Sequence, residues 1–347
     1  MAFSFLTQEL AIDLGTANTV IFMNDKIVVD QPSCIARNQL TKKLYACGFE
    51  AKKMIGKENP NIECIRPMKD GVIADFEAAE DMIRWMIKQV NRNKKSFFTP
   101  NLRIVIAIPY GSTNVDKRAV RDAAEHSGGR DIHLIYEPMA DALGIGLNVE
   151  QPTGHMVVDI GGGTTECAVI SLAGIVECES LKTAGDAFTE DIQQYMRQQY
   201  NIKVGDSLAE QIKISVGAAI SDLETPPEPF EVIGPNLITA YPVKVPVTSM
   251  EIAHCLDRSL AKIESLIVSV LEKTPPELYA DIVKEGINLT GGGALIRGLD
   301  KRLSDKLKIP FHVAEDPLRA VSRGTNLALK NLSKGKLCPY LMRSEAH

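Results

Sequence analysis

Asp13 and Asp159 each stand near the end of an apolar run that breaks into glycine and hydroxyl residues. The first segment reads Leu10-Ala11-Ile12-Asp13-Leu14-Gly15-Thr16-Ala17-Asn18-Thr19, the second Val157-Val158-Asp159-Ile160-Gly161-Gly162-Gly163-Thr164-Thr165-Glu166. Glycine lets the backbone turn tightly and present its N–H groups to an anion. A carboxylate at the strand tip can hold Mg2+ through the water shell that this ion sheds reluctantly. One such turn would grip part of a phosphate chain. Two facing each other would clamp a nucleoside triphosphate and its metal between two halves of a protein. A single acid-and-glycine hairpin is ordinary turn chemistry. The second copy argues otherwise, as does a third cluster, Ile287-Asn288-Leu289-Thr290-Gly291-Gly292-Gly293-Ala294-Leu295-Ile296, read as strand, glycine turn and helix. Neither a Walker nor a Rossmann fingerprint accompanies them, so the nucleotide site is of another design.

The elements that must position these turns alternate between strand and helix, which indicates an α/β architecture. Strands are expected at 10–14, 18–23, 26–29, 102–109 and 132–136. Helices are expected at 78–90, with Met82, Ile83, Met86, Ile87 and Val90 on its apolar side, and at 114–127. On the latter, Val115, Ala119 and Ala123 share one line. The second half repeats the pattern: a hairpin at 156–170, a strand at 174–181, helices at 186–200 and 206–220, then a long helix at 249–272. Ile252, Leu256, Leu260, Ile263, Ile267 and Val270 form that helix's stripe. A helix beginning after Thr274-Pro275, a strand at 309–314 and a helix at 317–331 complete the chain. Polar blocks at 37–67 and 184–243 look like insertions, the first short on periodicity. An internal duplication of a βββαβα unit, with a ligand cleft between the halves, accounts for the order.

Size and charge narrow the function. The 347 residues suffice for two domains with substantial cores. The net charge of −5 argues against a nucleic-acid partner. No apolar run approaches a membrane span, and the first residues lack the pattern of a secretory signal. Seven cysteines without a Cys-x-x-Cys pair and scattered histidines argue against a metal cage or disulfide framework, and suggest a reducing cytoplasm.

The motifs together resemble those of the actin-like ATPase superfamily, and in detail the MreB family of bacterial actins. Asp13 through Thr19 is similar to the first phosphate motif. Arg66-Pro67-Met68-Lys69-Asp70-Gly71-Val72-Ile73-Ala74-Asp75-Phe76 resembles the segment returning from a small first subdomain. Tyr136 to Ala140, Asp159 to Glu166 and Leu289 to Asp300 are similar to the remaining nucleotide-site motifs. Nearly the whole chain is covered. Asp141 and Leu143 depart from the small apolar residues usual there, Ala184-Gly185 replaces a common Gly-Gly, and the block 221–240 and the tail after Lys334 are idiosyncratic.

The resemblance implies an actin-like fold: two ribonuclease-H-like lobes around a nucleotide cleft, each with a small inserted subdomain. Lobe I would span 1–141, with its insertion at about 31–69, and be completed by 317–347. Lobe II would span 142–316, with its insertion at about 184–243. It implies ATP or ADP with Mg2+ as cofactors, Asp13 and Asp159 holding the metal through water. Gly15, Thr16, Ala17 and Asn18 would meet the phosphates, as would Gly161, Gly162, Gly163 and Thr164. Glu137, which from its position is otherwise an acid at the positive end of a helix, would with Thr164 and Asp159 orient the attacking water. Glu210 and Lys213, otherwise a solvated ion pair three residues apart, would line the ribose and adenine pocket with Gly292, Gly293 and Ala294 on its other side, and Gly185 and Gly291 would also bind the nucleotide. Slow hydrolysis would time a polymer.

Partners follow in the same way. The chain itself would form an antiparallel double filament in which helix 114–127 faces the partner strand. Phe97-Phe98 beside Arg92, Lys94 and Lys95, or Phe3, Phe5 and Leu6, would touch the inner face of the cytoplasmic membrane. The cell-wall elongation machinery would be organised from there. Rival readings are a small-molecule kinase on the same fold, a filament that positions a plasmid or organelle, and a heat-shock-type chaperone. The last would need a further peptide-binding domain.

Overall fold

The computed structural model describes residues 7–91, 101–336 and 338–343. Two sheets share one plan. In the first, strands Thr7–Leu14, Asn18–Met23 and Lys26–Pro32 form an antiparallel meander, and Asn101–Ile108 and Gly129–Tyr136 add in parallel on the other side of Thr7–Leu14. In the second, His155–Ile160, Thr165–Ser171 and Gly174–Leu181 form the meander, and Ile287–Thr290 and Phe311–Val313 add in parallel. Parallel addition needs a crossover, and amphipathic helices supply it. Phe76–Asn91 buries Met82, Ile83, Met86 and Ile87, and Ser249–Lys273 buries the whole stripe read from the sequence. Helices Asn114–His126 and Ser249–Lys273 start in reciprocal capping boxes, Thr113 with Asp116 and Thr248 with Glu251.

Helix Glu137–Gly144 leaves the first sheet and packs on the second, while helix Ala320–Ser333 packs back on the first. The two cross with almost no side chain between them. A Cβ on Gly144 would lie 1.9 Å from the Ala320 carbonyl oxygen, and one on Gly324 would lie 1.7 Å from that of Ala140. Around the crossing, Ala11, Val20, Val105 and Ala107 from one sheet and Val157, Ala168 and Ile170 from the other join a single apolar cluster. Larger clusters fill the outer face of each sheet.

The two polar blocks hold small units. A three-stranded sheet of Leu44–Cys47, Ile35–Asn38 and Ile62–Ile65 closes over Cys34, Ala36 and Ala51. Helices Gly185–Tyr200 and Asp206–Val216 and the hairpin Phe230–Pro235/Pro242–Val247 make the other.

Several elements differ from the sequence reading. The helix expected at 206–220 ends at Val216, because Gly217 turns the chain so that Ala218 bridges Arg297. The third glycine cluster enters a short 3-10 turn, Gly292–Leu295, and the α-helix waits until Leu299. Helix Asn114–His126 buries Val120, Ala123 and Ala124 and leaves Val115 exposed. The tail adds Met342–Arg343 antiparallel to Gly129–Tyr136 at the sheet edge. Phe3, Phe5, Leu6, Arg92, Lys94, Lys95, Phe97 and Phe98 lie outside the described residues.

Candidate functional site

The tips of the two meanders meet. A Cβ on Gly162 would lie 2.9 Å from the Ala17 Cβ, and one on Gly163 would lie 2.9 Å from both Thr16 Oγ1 and the Asp70 backbone. Any side chain at these two glycines would force the turns apart, so Gly162-Gly163 is what permits their opposition. The turns are also ordered locally. The Ser33 hydroxyl donates to the Gly15 carbonyl at 2.6 Å, the Gly71 N–H donates to Thr16 Oγ1 at 3.1 Å, and the Gly161 N–H donates to the Thr164 carbonyl at 2.9 Å.

Behind the tips the acids converge. Asp159 and Glu137 are buried, and Asp13 is half-buried. Burial pushes the Asp13 carboxyl up to about 7, aided by Asp159 and Asp30. Burial alone takes Asp159 to about 7. Glu137 is held well above the usual carboxyl range by burial, then by Glu166, Asp159 and Asp13. The inner oxygen of Asp159, Oδ1, has no hydrogen-bond partner. Acids crowded this way, with an orphaned oxygen among them, are held protonated, and a bound cation would favour their ionised form.

Lys213 and Glu210 stand at the rear of the second turn. Lys213 Nζ donates to the Gly185 carbonyl at 2.7 Å and to Thr189 Oγ1 at 3.1 Å, and pairs with Glu210 Oε2 at 2.6 Å. The Gly185 and Asp186 N–H groups donate to the Gly161 and Gly162 carbonyls at 3.1 and 2.7 Å. The pair is thus tied to the turn rather than free in solvent. Gly291 and Gly293 press against Ile160 on the same hairpin, with Ala294 buried beside them and Gly292 exposed next to Leu318. The structure therefore brings both turns, the paired acids and Glu137 together, with Gly185, Glu210 and Lys213 behind the second turn and Gly291 to Ala294 against its hairpin.

Three features were not assigned a role from sequence. Glu166 is fully buried and accepts the Tyr110 N–H on both oxygens, at 2.9 and 3.1 Å, which ties one lobe to the other. Its signal was an acid inside an otherwise buried strand. Arg66 spans the cleft to Asp186 at 2.9 Å. Asp141, seen only as a departure, is fully buried.

Two duplicated lobes, each with an inserted unit, set around a cleft between acid-and-glycine hairpins, define the actin-like class. The chain belongs to the MreB/Mbl family, whose model matches residues 7–336. It is 46% identical to the cell shape-determining protein MreB of Escherichia coli strain K12, over 93% of this chain and 94% of that protein. It is 43% identical to the cell shape-determining protein Mbl of Bacillus cereus, over 94% of this chain and 97% of that one. Crystal structures of MreB5 of Spiroplasma citri, with ADP and with AMPPNP, superpose with a TM-score of 0.89 at 36% identity, covering 95% of this chain and 98% of that one. A MamK double helical filament shares the fold at 21% identity, with a TM-score of 0.77 and coverage of 93% and 98%.

Proposed function

We propose that this chain is an ATP-dependent, filament-forming cell-shape protein whose cleft binds ATP or ADP with Mg2+ and hydrolyses ATP slowly. The observation that carries the reading is the opposition of Gly162 to Ala17 with Asp13 and Asp159 behind them. Backbone N–H groups of residues 15–18 and 161–164 would receive the phosphates. Gly185, Glu210, Lys213 and Gly291 to Ala294 would bound the ribose and base. Two clustered acids raised to about 7, one with an unpartnered oxygen, would be ionised and held by a bound cation. Among the described residues no three or more Asp, Glu, His or Cys side chains are arranged to hold a metal directly, so Asp13 and Asp159 would act through its waters. Mg2+ would supply charge neutralisation to the phosphates.

Glu137 and Thr164 would orient a water towards the γ-phosphorus, where positioning does most of the work. MreB5's ADP and AMPPNP complexes support the nucleotide. The names of the MreB and Mbl relatives support cell shape as the process. No helix of the described residues is long and apolar enough to cross a membrane. Attachment to the inner membrane face, through Phe97-Phe98 or Phe3 and Phe5, belongs to the same proposal, as do contact with the wall-elongation machinery and an antiparallel filament pair.

Titration calorimetry of ATP with and without Mg2+ tests the site. Asp13→Asn and Asp159→Asn should each abolish the magnesium-dependent part of the heat. Glu137→Gln should keep ATP affinity within about threefold and slow phosphate release by at least about a hundredfold, the scale of a lost general base. ATP binding that is indifferent to both magnesium and the aspartates would end the reading.

A further inference from the structure

Asp141 is a charged group that the clamp leaves unexplained. It lies one helical turn beyond Glu137 on helix Glu137–Gly144, is fully buried, and neither carboxylate oxygen has a hydrogen-bond partner. Two neighbouring oxygens share that condition, Thr290 Oγ1 and Asp159 Oδ1, both on buried residues. Asp159 and Thr290 are register partners on adjacent parallel strands, so their side chains leave the same face of the sheet. Helix Glu137–Gly144 packs over strand His155–Ile160. Asp159 Oδ1 is buried and lies close to the Gly291 backbone, where an added Cβ would stand 2.3 Å from it. Oδ2 lies on the Gly161 side, 4.0 Å from where a Cβ on that glycine would stand.

An unpartnered buried carboxyl is expensive to keep. The groups acting most strongly on Asp141 are the acids Asp159 and Asp13; the Thr290 hydroxyl comes next, near enough to favour the ionised form but outside hydrogen-bond geometry, and the acid Glu166 follows. Burial first, then those acids, push its carboxyl well above the usual range.

We propose that Asp141, Thr290 Oγ1 and the inner oxygen of Asp159 form a site for one dehydrated monovalent cation, Na+ or K+, beneath the nucleotide clamp. The donors are all hard oxygens, which select such ions over zinc or copper. Magnesium demands octahedral geometry and keeps several waters, and the full burial of Asp141 and Thr290 leaves no wet side for them. The cation fixes the Asp159 carboxylate from behind, leaving Oδ2 for the cleft. That consequence for nucleotide binding rests on the proposed function; the site itself does not.

The test uses the full chain without nucleotide. Melting is followed in NaCl, KCl and tetramethylammonium chloride at equal ionic strength. Na+ or K+ should raise the Tm by at least about 2 °C, saturating with concentration as a single site does. Asp141→Ala should lose that rise, yet melt in tetramethylammonium at or above the wild-type temperature, because the stranded carboxyl is gone. Thr290→Val should weaken the rise and shift it to higher salt. A wild-type Tm that is the same in all three salts, or a rise that survives Asp141→Ala, would overturn the proposal. Parallel calorimetry with Mg2+ and ATP separates the two readings: normal ATP binding without cation dependence removes only this site, and the converse result removes only the clamp.

Discussion

At the scale of residues, the cleft is a reservoir of protons. Asp13, Asp159 and Glu166 sit at about 7, against about 4 for ordinary carboxyls. An acid with a raised folded pKa binds more protons folded than unfolded between those two values. Its stabilising contribution is full below about 4 and is lost as pH rises through about 7. The nucleotide-free protein should therefore melt at progressively lower temperature from pH 5 to pH 8. Mg2+ with ATP should raise the Tm more at pH 8 than at pH 5, since a bound cation favours the ionised acids. Asp13→Asn should flatten the slope of the free protein. Differential scanning calorimetry across that range decides it, and a Tm that climbs with pH would contradict the arrangement. Asp13 and Asp159 were legible because their signal is local and occurs twice. Glu166 and the Arg66–Asp186 bridge were not, because their partners are distant in sequence and meet only across the cleft.

At the scale of elements, turn chemistry and helix crossing set the tolerances. Asn24 and Asp25 join two strands of the first meander with positive φ of 52° and 61°, a conformation those side chains accept. The matching turn in the second meander uses Leu172 and Ala173, at 49° and 58°. A residue with a Cβ pays strain there. Ala173→Gly should stabilise the protein by about 1 kcal/mol in urea denaturation, whereas the same change in a helix interior would destabilise. The crossing of helices Glu137–Gly144 and Ala320–Ser333 behaves oppositely. Gly144→Ala places a methyl 1.9 Å from a carbonyl oxygen, so the helices must separate. A loss of about 3 kcal/mol, the upper end of overpacking costs, should appear in the same denaturation experiment; a loss under about 1 kcal/mol would mean the crossing yields easily. The long helices were readable because their stripes are regular and their caps explicit. The strands inside the first insertion were not, because Cys34, Ala36 and Ala51 make a core too small to print a period on them. The end of helix Asp206–Val216 was missed because what stops it is a bridge to Arg297, far along the chain.

At the scale of the molecule, the duplicated lobes bury their apolar faces against the crossed helices, and most large apolar side chains left outside are scattered. The hairpin Phe230–Pro235/Pro242–Val247 is an exception. Ile233, Leu237, Ile238 and Tyr241 are all exposed there, Ile238 at 78% and Tyr241 at 74%. The turn between them is ordered by Asn236, whose side-chain oxygen accepts the N–H groups of Ile238 and Thr239 at 2.9 and 3.0 Å. An exposed apolar tip ordered by such hydrogen bonds would lose little ordering entropy on meeting a second subunit. Covering two such side chains is worth about 1.5–3 kcal/mol each when burial is complete. Partial burial of the pair still amounts to a factor of about ten or more in an association constant, at about 1.4 kcal/mol per tenfold. The double change Ile238→Lys with Tyr241→Lys should therefore raise the concentration needed for ATP-dependent pelleting at least about tenfold. ATP affinity should stay unchanged, because the tip belongs to the inserted hairpin and not to the acid-and-glycine turns. An unaltered pelleting threshold would show that subunits meet elsewhere, and would turn attention to Val115, which helix Asn114–His126 leaves facing solvent in a lobe built to bury such residues.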